Sequence, residues 1–347
     1  MQTRPIGRTG LKTGIFSLGT MTFGTQTPEA DAHRQLDMAV EAGINLIDTA
    51  ELYPVNPIAA ETCGDSEVIV GNWLAASGKR NEVLIATKVA GSGAKAIRDG
   101  APISPDTITE AVEASLKRLQ TDVIDIYQLH WPNRGSYHFR QNWKYNPAGQ
   151  DTADALADIT AVLETLGKLV DAGKIRHIGL SNESAWGTAQ FLRIAEAAGL
   201  PRVATIQNEY SLLCRHYDLD LAELSHHEDV GLLAFSPLAT GLLTGKYSGD
   251  TIPQDSRRSY NAALGGRLNS QSLSVADEYV ALAETHELDP VHMALAFCSS
   301  KPFMAASIVG ATTSGQLEHL LKGADLVLSE EVLEDIQAIY SRTPMPM

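Results

Sequence analysis

Eight short apolar runs, rich in β-branched residues and separated by helix-patterned stretches, constrain this chain more than anything else in it. They are Phe16–Thr20, Ile44–Thr49, Val83–Lys88, Ile124–His130, His177–Ser181, Ala204–Asn208, Gly231–Ser236 and Ala306–Val309. Runs of that length and composition read as buried strands. Between them, Thr27-Pro28-Glu29 opens a helical stretch that stops before Gly43. Thr107-Ile108-Thr109-Glu110 reads as a capping box ahead of an apolar face of Ile108, Val112, Leu116 and Leu119. Leu156, Ile159, Leu163, Leu166 and Val170 form a stripe ending at Gly173, and Thr313-Ser314-Gly315-Gln316 caps the helix after the last run. Strict alternation requires a parallel sheet, because each crossover must cover one of its faces. Eight repeats predict an α/β chain of the (β/α)8 TIM-barrel class. An open doubly wound sheet is the alternative, but no pattern marks a reversal of strand order. Ahead of the first run, Gly7-Arg8-Thr9-Gly10 and the return Leu11 to Ile15 predict an N-terminal β-hairpin that closes the barrel bottom. No linker divides the sequence, so residues 1–347 read as a single barrel domain.

Four polar residues stand where three of these runs stop: Asp48 and Tyr53, Lys88, and His130. A parallel barrel gathers its C-terminal strand ends on one face, where chemistry collects. A phenol has a pKa of about 10 in water, too high for a good proton donor. An adjacent ammonium lowers it by stabilising the phenolate, and a carboxylate keeps that ammonium charged and oriented. Tyr53 as acid, Lys88 as tuner, Asp48 as anchor and His130 as the group that orients a carbonyl oxygen form a coherent set. Any one alone is as well explained by a strand-end polar group facing water; four together point to an acid-donating site. Lys88 also leaves open a Schiff-base lyase, although pairing with Asp48 keeps a lysine protonated. A cofactor-sensing regulatory partner with residual activity is a third reading.

Composition removes other classes. The net charge of −15, from 27 basic and 42 acidic side chains, argues against non-specific nucleic-acid binding. Cys63, Cys214 and Cys298 are odd in number and widely spaced, which fits a reducing compartment and neither a disulfide framework nor a metal site. No apolar segment follows Met1-Gln2-Thr3-Arg4-Pro5, and none approaches a membrane span, so a cytoplasmic protein without membrane contact is expected. The sequence is silent on oligomeric state. Gly91-Ser92-Gly93-Ala94-Lys95-Ala96 imitates a dinucleotide fingerprint, but Gly100, Pro102 and Pro105 occupy the span where its helix must run. Gly241 to Tyr247 imitates a phosphate loop with one residue too few. His226-His227-Glu228 is a solvated surface run rather than a metal site, since adjacent helix positions diverge. Two long segments, 132–151 and 237–275, lie on the catalytic face. With Trp131, the residues Tyr137, Phe139, Trp143 and Tyr145 predict a wall for an apolar or aromatic substrate.

Asp48-x4-Tyr53, Lys88 and His130-Trp131-Pro132 resemble the catalytic pattern of the aldo-keto reductases. So do Gly43 to Ala50, Leu116 to Asp122 and Gly173 to Asn182, in the same order along nearly the whole chain. The resemblance implies a barrel that binds NADP(H) across its C-terminal face and reduces small-molecule aldehydes or ketones. It implies that Ser181, Asn182 and Gln207 hold the nicotinamide carboxamide, that Phe235 stacks on the ring, and that Gly19, Thr20 and Met21 line that end beside Asp48. Ser236, Pro237, Leu238, Gly241 and Leu243 then wrap the pyrophosphate, followed by Lys246 and Arg257. Gly310, Thr312 and Gln316 approach the adenosine. The chain departs from the family pattern at His319-Leu320, where many relatives have Glu-Asn, and it lacks a basic residue near Gln316. Lys246 and Arg257 are left as the cations to meet a 2′-phosphate.

Overall fold

The computed structural model describes residues 1–347. Strands β1 (Thr3–Pro5) and β2 (Lys12–Gly14) pair antiparallel as a hairpin. Then β3 (Phe16–Gly19) leads to α1 (Glu29–Glu41), β4 (Leu46–Asp48) to α2 (Asp65–Ser77), and β5 (Leu84–Val89) to α3 (Pro105–Leu119). Next, β6 (Ile124–Leu129) leads to α4 (Thr152–Asp171), β7 (Ile175–Ser181) to α5 (Ala185–Ala198), and β8 (Val203–Glu209) to α6 (Asp220–Glu228). Strand β9 (Gly231–Phe235) is followed by α7 (Arg257–Tyr260), α8 (Ser270–Thr285) and α9 (Pro290–Ser299) before β10 (Met304–Val309). Helices α10 (Ser314–Lys322) and α11 (Glu330–Arg342) complete the chain. The eight strands β3 to β10 close a parallel barrel in sequence order, with β10 beside β3.

The strands begin or end a residue or two away from the runs read in the sequence, because pairing ends where parallel partners end. Hydrogen bonding nevertheless reaches past the strand ends: Thr20 N donates to Asp48 O at 3.0 Å and His130 N to Val89 O at 3.0 Å. Two helix starts differ from expectation. Helix α3 opens at Pro105, with Ser104 as its cap accepting from Thr107 N, so Thr107 is the last residue of the box rather than its first. Pro28 itself stands at the cap of α1, without a side-chain bond. The segment after β9 is also less irregular than its Gly, Ser and Arg content implied, since α8 begins inside it.

Period-two alternation carries the site. On the inner barrel face Leu46, Ala86 and Ile126 pack with Ile6 of the hairpin in a small interior cluster. Two residues later on the same strands, the same face presents Asp48, Lys88 and Gln128. The barrel interior thus changes from apolar to polar on moving toward the mouth. A separate, larger cluster fills the space between strands and helices. At the bottom, Arg4 donates to the carbonyls of Ser299, Lys301 and Met304 at 2.5–3.0 Å. Gly7 has φ 50°, and a Cβ there would lie 2.7 Å from Ala204 O, so only glycine lets the hairpin seat this deeply.

Candidate active site

The four strand-end residues meet at the mouth. Lys88 Nζ, wholly buried, lies 2.8 Å from Asp48 Oδ2, 2.8 Å from Thr49 O and 3.5 Å from Tyr53 OH. Asp48 Oδ1 accepts from Gln207 Nε2 at 2.7 Å and Gln128 Nε2 at 3.3 Å, so both carboxylate oxygens are engaged. The Tyr53 and His130 rings meet edge to face at 5.9 Å between centroids. His130 Nδ1 is buried without a partner.

Electrostatics corrects one expectation. Burial pushes the Tyr53 phenol upward, and the neighbouring Lys88 ammonium offsets this only in part. The phenol therefore rests protonated, and the Lys88 ammonium is the neighbour that eases release of its proton. Burial alone would discharge Lys88, but Asp48 and Tyr53 outweigh it and hold the lysine above its usual range. Burial, with help from Lys88, drives His130 well below its ordinary value, leaving a neutral imidazole near pH 7. The resting set is thus a neutral phenol, an ammonium on a carboxylate, and a neutral imidazole.

Of the residues expected to hold a cofactor, Ser181, Asn182 and Gln207 stand against this set. Ser181 Oγ donates to Gln207 O at 2.8 Å, and Asn182 Nδ2 donates to His130 O at 2.9 Å and Ser181 Oγ at 3.1 Å. Asn182 Oδ1 is buried and unpartnered, an acceptor that matches the N–H of a carboxamide. Gln207 is more committed than expected, because its amide already bonds Asp48 and Gln128. Phe235 packs against the interior cluster. Ser236 has φ 54° and Gly241 φ 101°, in a tight turn that includes Pro237, Leu238 and Leu243. A Cβ on Gly19 would lie 2.8 Å from Ile308 Cγ2, and one on Gly310 3.4 Å from Gly19 O, so two backbones pass closely there, next to Thr20 and Met21. Lys246 is exposed beside the Tyr247 ring at 5.1 Å. Arg257 Nε is buried without a partner, and burial lowers its guanidinium to about 10, with Arg267 adding repulsion. Thr312 and Gln316 hydrogen-bond each other at the start of α10, where the Gln316 carbonyl accepts from Thr312 N at 3.0 Å. These residues fit a dinucleotide with a carboxamide at one end and phosphates at the other.

The aromatic set divides. Trp131 stands 4.9 Å from the His130 ring, and Phe139 meets Trp131 edge to face at 5.9 Å. Tyr137 instead packs on Tyr145, His138 and His216. Trp143 is 65% exposed. Only Trp131 therefore stands against His130, with Phe139 beside it, while Tyr137 and Tyr145 pack against each other and Tyr137 against His216.

Sequence reasoning missed a set of rim carboxylates. Glu51 binds Arg98 at 2.5 and 2.8 Å, Glu183 binds Arg134, and Glu209 binds both Arg140 and Arg267. All three acids are buried. The available signal was an acidic residue at or just beyond the end of three apolar runs.

The model of the aldo/keto reductase family matches residues 16–341. The chain is 45% identical to Protein tas of Escherichia coli over 343 residues, covering 98% of each protein. It is 32% identical to the uncharacterized oxidoreductase YrpG of Bacillus subtilis over 347 residues, covering 98% of this chain and 96% of that protein. It is 29% identical to a probable voltage-gated potassium channel subunit beta of Oryza sativa over 357 residues, covering 99% and 98%. With a closed eight-stranded barrel, an N-terminal hairpin and a family match across nearly its full length, this chain belongs to the aldo/keto reductase family of oxidoreductases.

Proposed function

We propose that this protein is an NADP(H)-dependent reductase of aldehydes and ketones, with Tyr53 as the general acid. The observation that carries the reading is Lys88 Nζ standing between Asp48 Oδ2 at 2.8 Å and Tyr53 OH at 3.5 Å. NADPH, when bound, supplies a hydride to the carbonyl carbon. The Tyr53 hydroxyl gives its proton to the carbonyl oxygen as the C–O π electrons move onto it, and Lys88 stabilises the phenolate that remains. His130, neutral at this pH, donates an N–H to the same oxygen and fixes its direction. Ser181, Asn182 and Gln207 take the carboxamide, Phe235 stacks on the ring, and Lys246 and Arg257 meet phosphate. Trp131 and Phe139 favour an apolar or aromatic group on the substrate.

A lyase that forms a Schiff base on Lys88 requires a neutral amine, and the raised lysine argues against it. A cofactor-sensing partner would retain NADPH tightly with negligible turnover. Fluorescence titration with NADPH and NADH, followed by NADPH oxidation with 4-nitrobenzaldehyde, separates these readings. Saturable NADPH binding without oxidation by any aldehyde or ketone in a broad screen overturns the reductase.

A further inference from the structure

Phe139 and Arg140 have φ values of 54° and 64°. Non-glycine residues avoid this left-handed region, and two in succession persist only where contacts impose them. Here the imposing contact is a buried carboxylate. Glu209, at the end of β8 and 3% exposed, accepts from Arg140 Nη2 through Oε2. It also accepts from Arg267 Nε at 2.7 Å on Oε1 and Arg267 Nη2 at 3.0 Å on Oε2. Arg140 comes from the segment after β6 and Arg267 from the segment after β9. One carboxylate therefore ties both long rim segments to one barrel strand.

The consequence falls on Phe139. Its ring is 50% exposed, so burial does not hold it in place. Its direction is set by the left-handed turn it shares with Arg140, and it meets edge to face the Trp131 ring that itself lies against His130. We propose that Arg140 and Glu209 are positioning residues that set selectivity for aromatic carbonyl substrates by aiming Phe139 at the wall begun by Trp131. This rests on the reductase reading above. Neither residue touches the reacting atoms.

The test uses the full chain carrying Arg140→Met, Arg140→Lys or Glu209→Gln. It measures kcat and KM for 4-nitrobenzaldehyde and for propanal, together with hydrogen exchange of the amides in 135–145. Arg140→Met should raise KM for the aromatic aldehyde by about tenfold, the scale of one lost apolar contact. Its kcat, and kcat/KM for propanal, should stay within roughly twofold. Arg140→Lys should recover part of the aromatic KM, since an ammonium still reaches Glu209. Exchange in 135–145 should quicken in Arg140→Met and in Glu209→Gln. Equal losses on both aldehydes would mark a merely structural pair and overturn the proposal, as would an unchanged aromatic KM whatever the exchange shows. A wild type that reduces neither aldehyde, yet shows faster exchange in the variants, sinks the reductase reading and the selectivity role with it while leaving the loop anchored by Glu209.

Discussion

The Lys88 ammonium and the Asp48 carboxylate meet at 2.8 Å with both side chains sealed from water. Buried charges persist only when paired and hydrogen-bonded. Lys88 adds Thr49 O and Tyr53 OH, and Asp48 adds two glutamine amides, so each charge is fully engaged. The pair is therefore a fixed element of the fold as well as of the chemistry proposed for it.

Tyr53→Phe removes one hydroxyl from the group proposed to protonate the substrate. Carbonyl reduction should fall by ~10²–10⁴-fold, the usual share of a general acid. NADPH affinity should remain near wild type. Steady-state kinetics with 4-nitrobenzaldehyde and fluorescence titration of NADPH check both halves; a near-normal kcat rejects the assignment.

Lys88→Met should be nearly inactive and also less stable. The substitution leaves Asp48 as a buried carboxylate without its cation, and breaking such a pair costs on the order of 3–5 kcal/mol. Urea denaturation measures the loss. A variant that stays active and unfolds at the wild-type midpoint would make Lys88 dispensable.

Replacing both Lys246 and Arg257 by alanine should weaken NADPH strongly and NADH little. Charge-assisted contacts to phosphate are worth about 1.5–3 kcal/mol each. The NADPH preference should shrink by tenfold or more, at about 1.4 kcal/mol per decade. Dissociation constants for both cofactors on both proteins decide it. Equal wild-type affinities, or an unchanged ratio in the double variant, would remove these cations from 2′-phosphate recognition.

Stability should decline as pH falls from about 6.5, the unfolded histidine value, toward 4. Burial holds His138 at about 4 and pushes His130 well below its ordinary range, while the unfolded chain protonates both near the ordinary histidine value. In that window the unfolded state binds more protons, so each such group removes about 1.4 kcal/mol per pH unit. Above the window both states are neutral and the effect vanishes. Thermal melts from pH 7.5 to 4.5 should show the decline, and His138→Gln should flatten it. A flat wild-type profile would count against the burial of these rings.

The barrel and the tetrad were legible because both follow from local periodicity. Short apolar runs mark the strands, and alternation within each run decides that Asp48 and Lys88 share the inner face. The rim was not legible in the same way. Glu51 and Arg98 are 47 residues apart, Arg140 and Glu209 are 69 apart, and the arginines sit in segments without periodicity. Tyr53 shows a different limit. A neighbouring lysine can be read from a strand end, but the depth of burial that outweighs it is a property of the assembled barrel. Among the aromatics, composition placed five on one face, and only packing separated Trp131 and Phe139 from the rest.

The hairpin that seats Ile6 in the barrel interior and pins Arg4 to three carbonyls gives the barrel a floor. Above that floor the packed apolar layer of Leu46, Ala86 and Ile126 bars approach from below. The first residues of the chain thus decide from which side the Asp48–Lys88 pair can be reached.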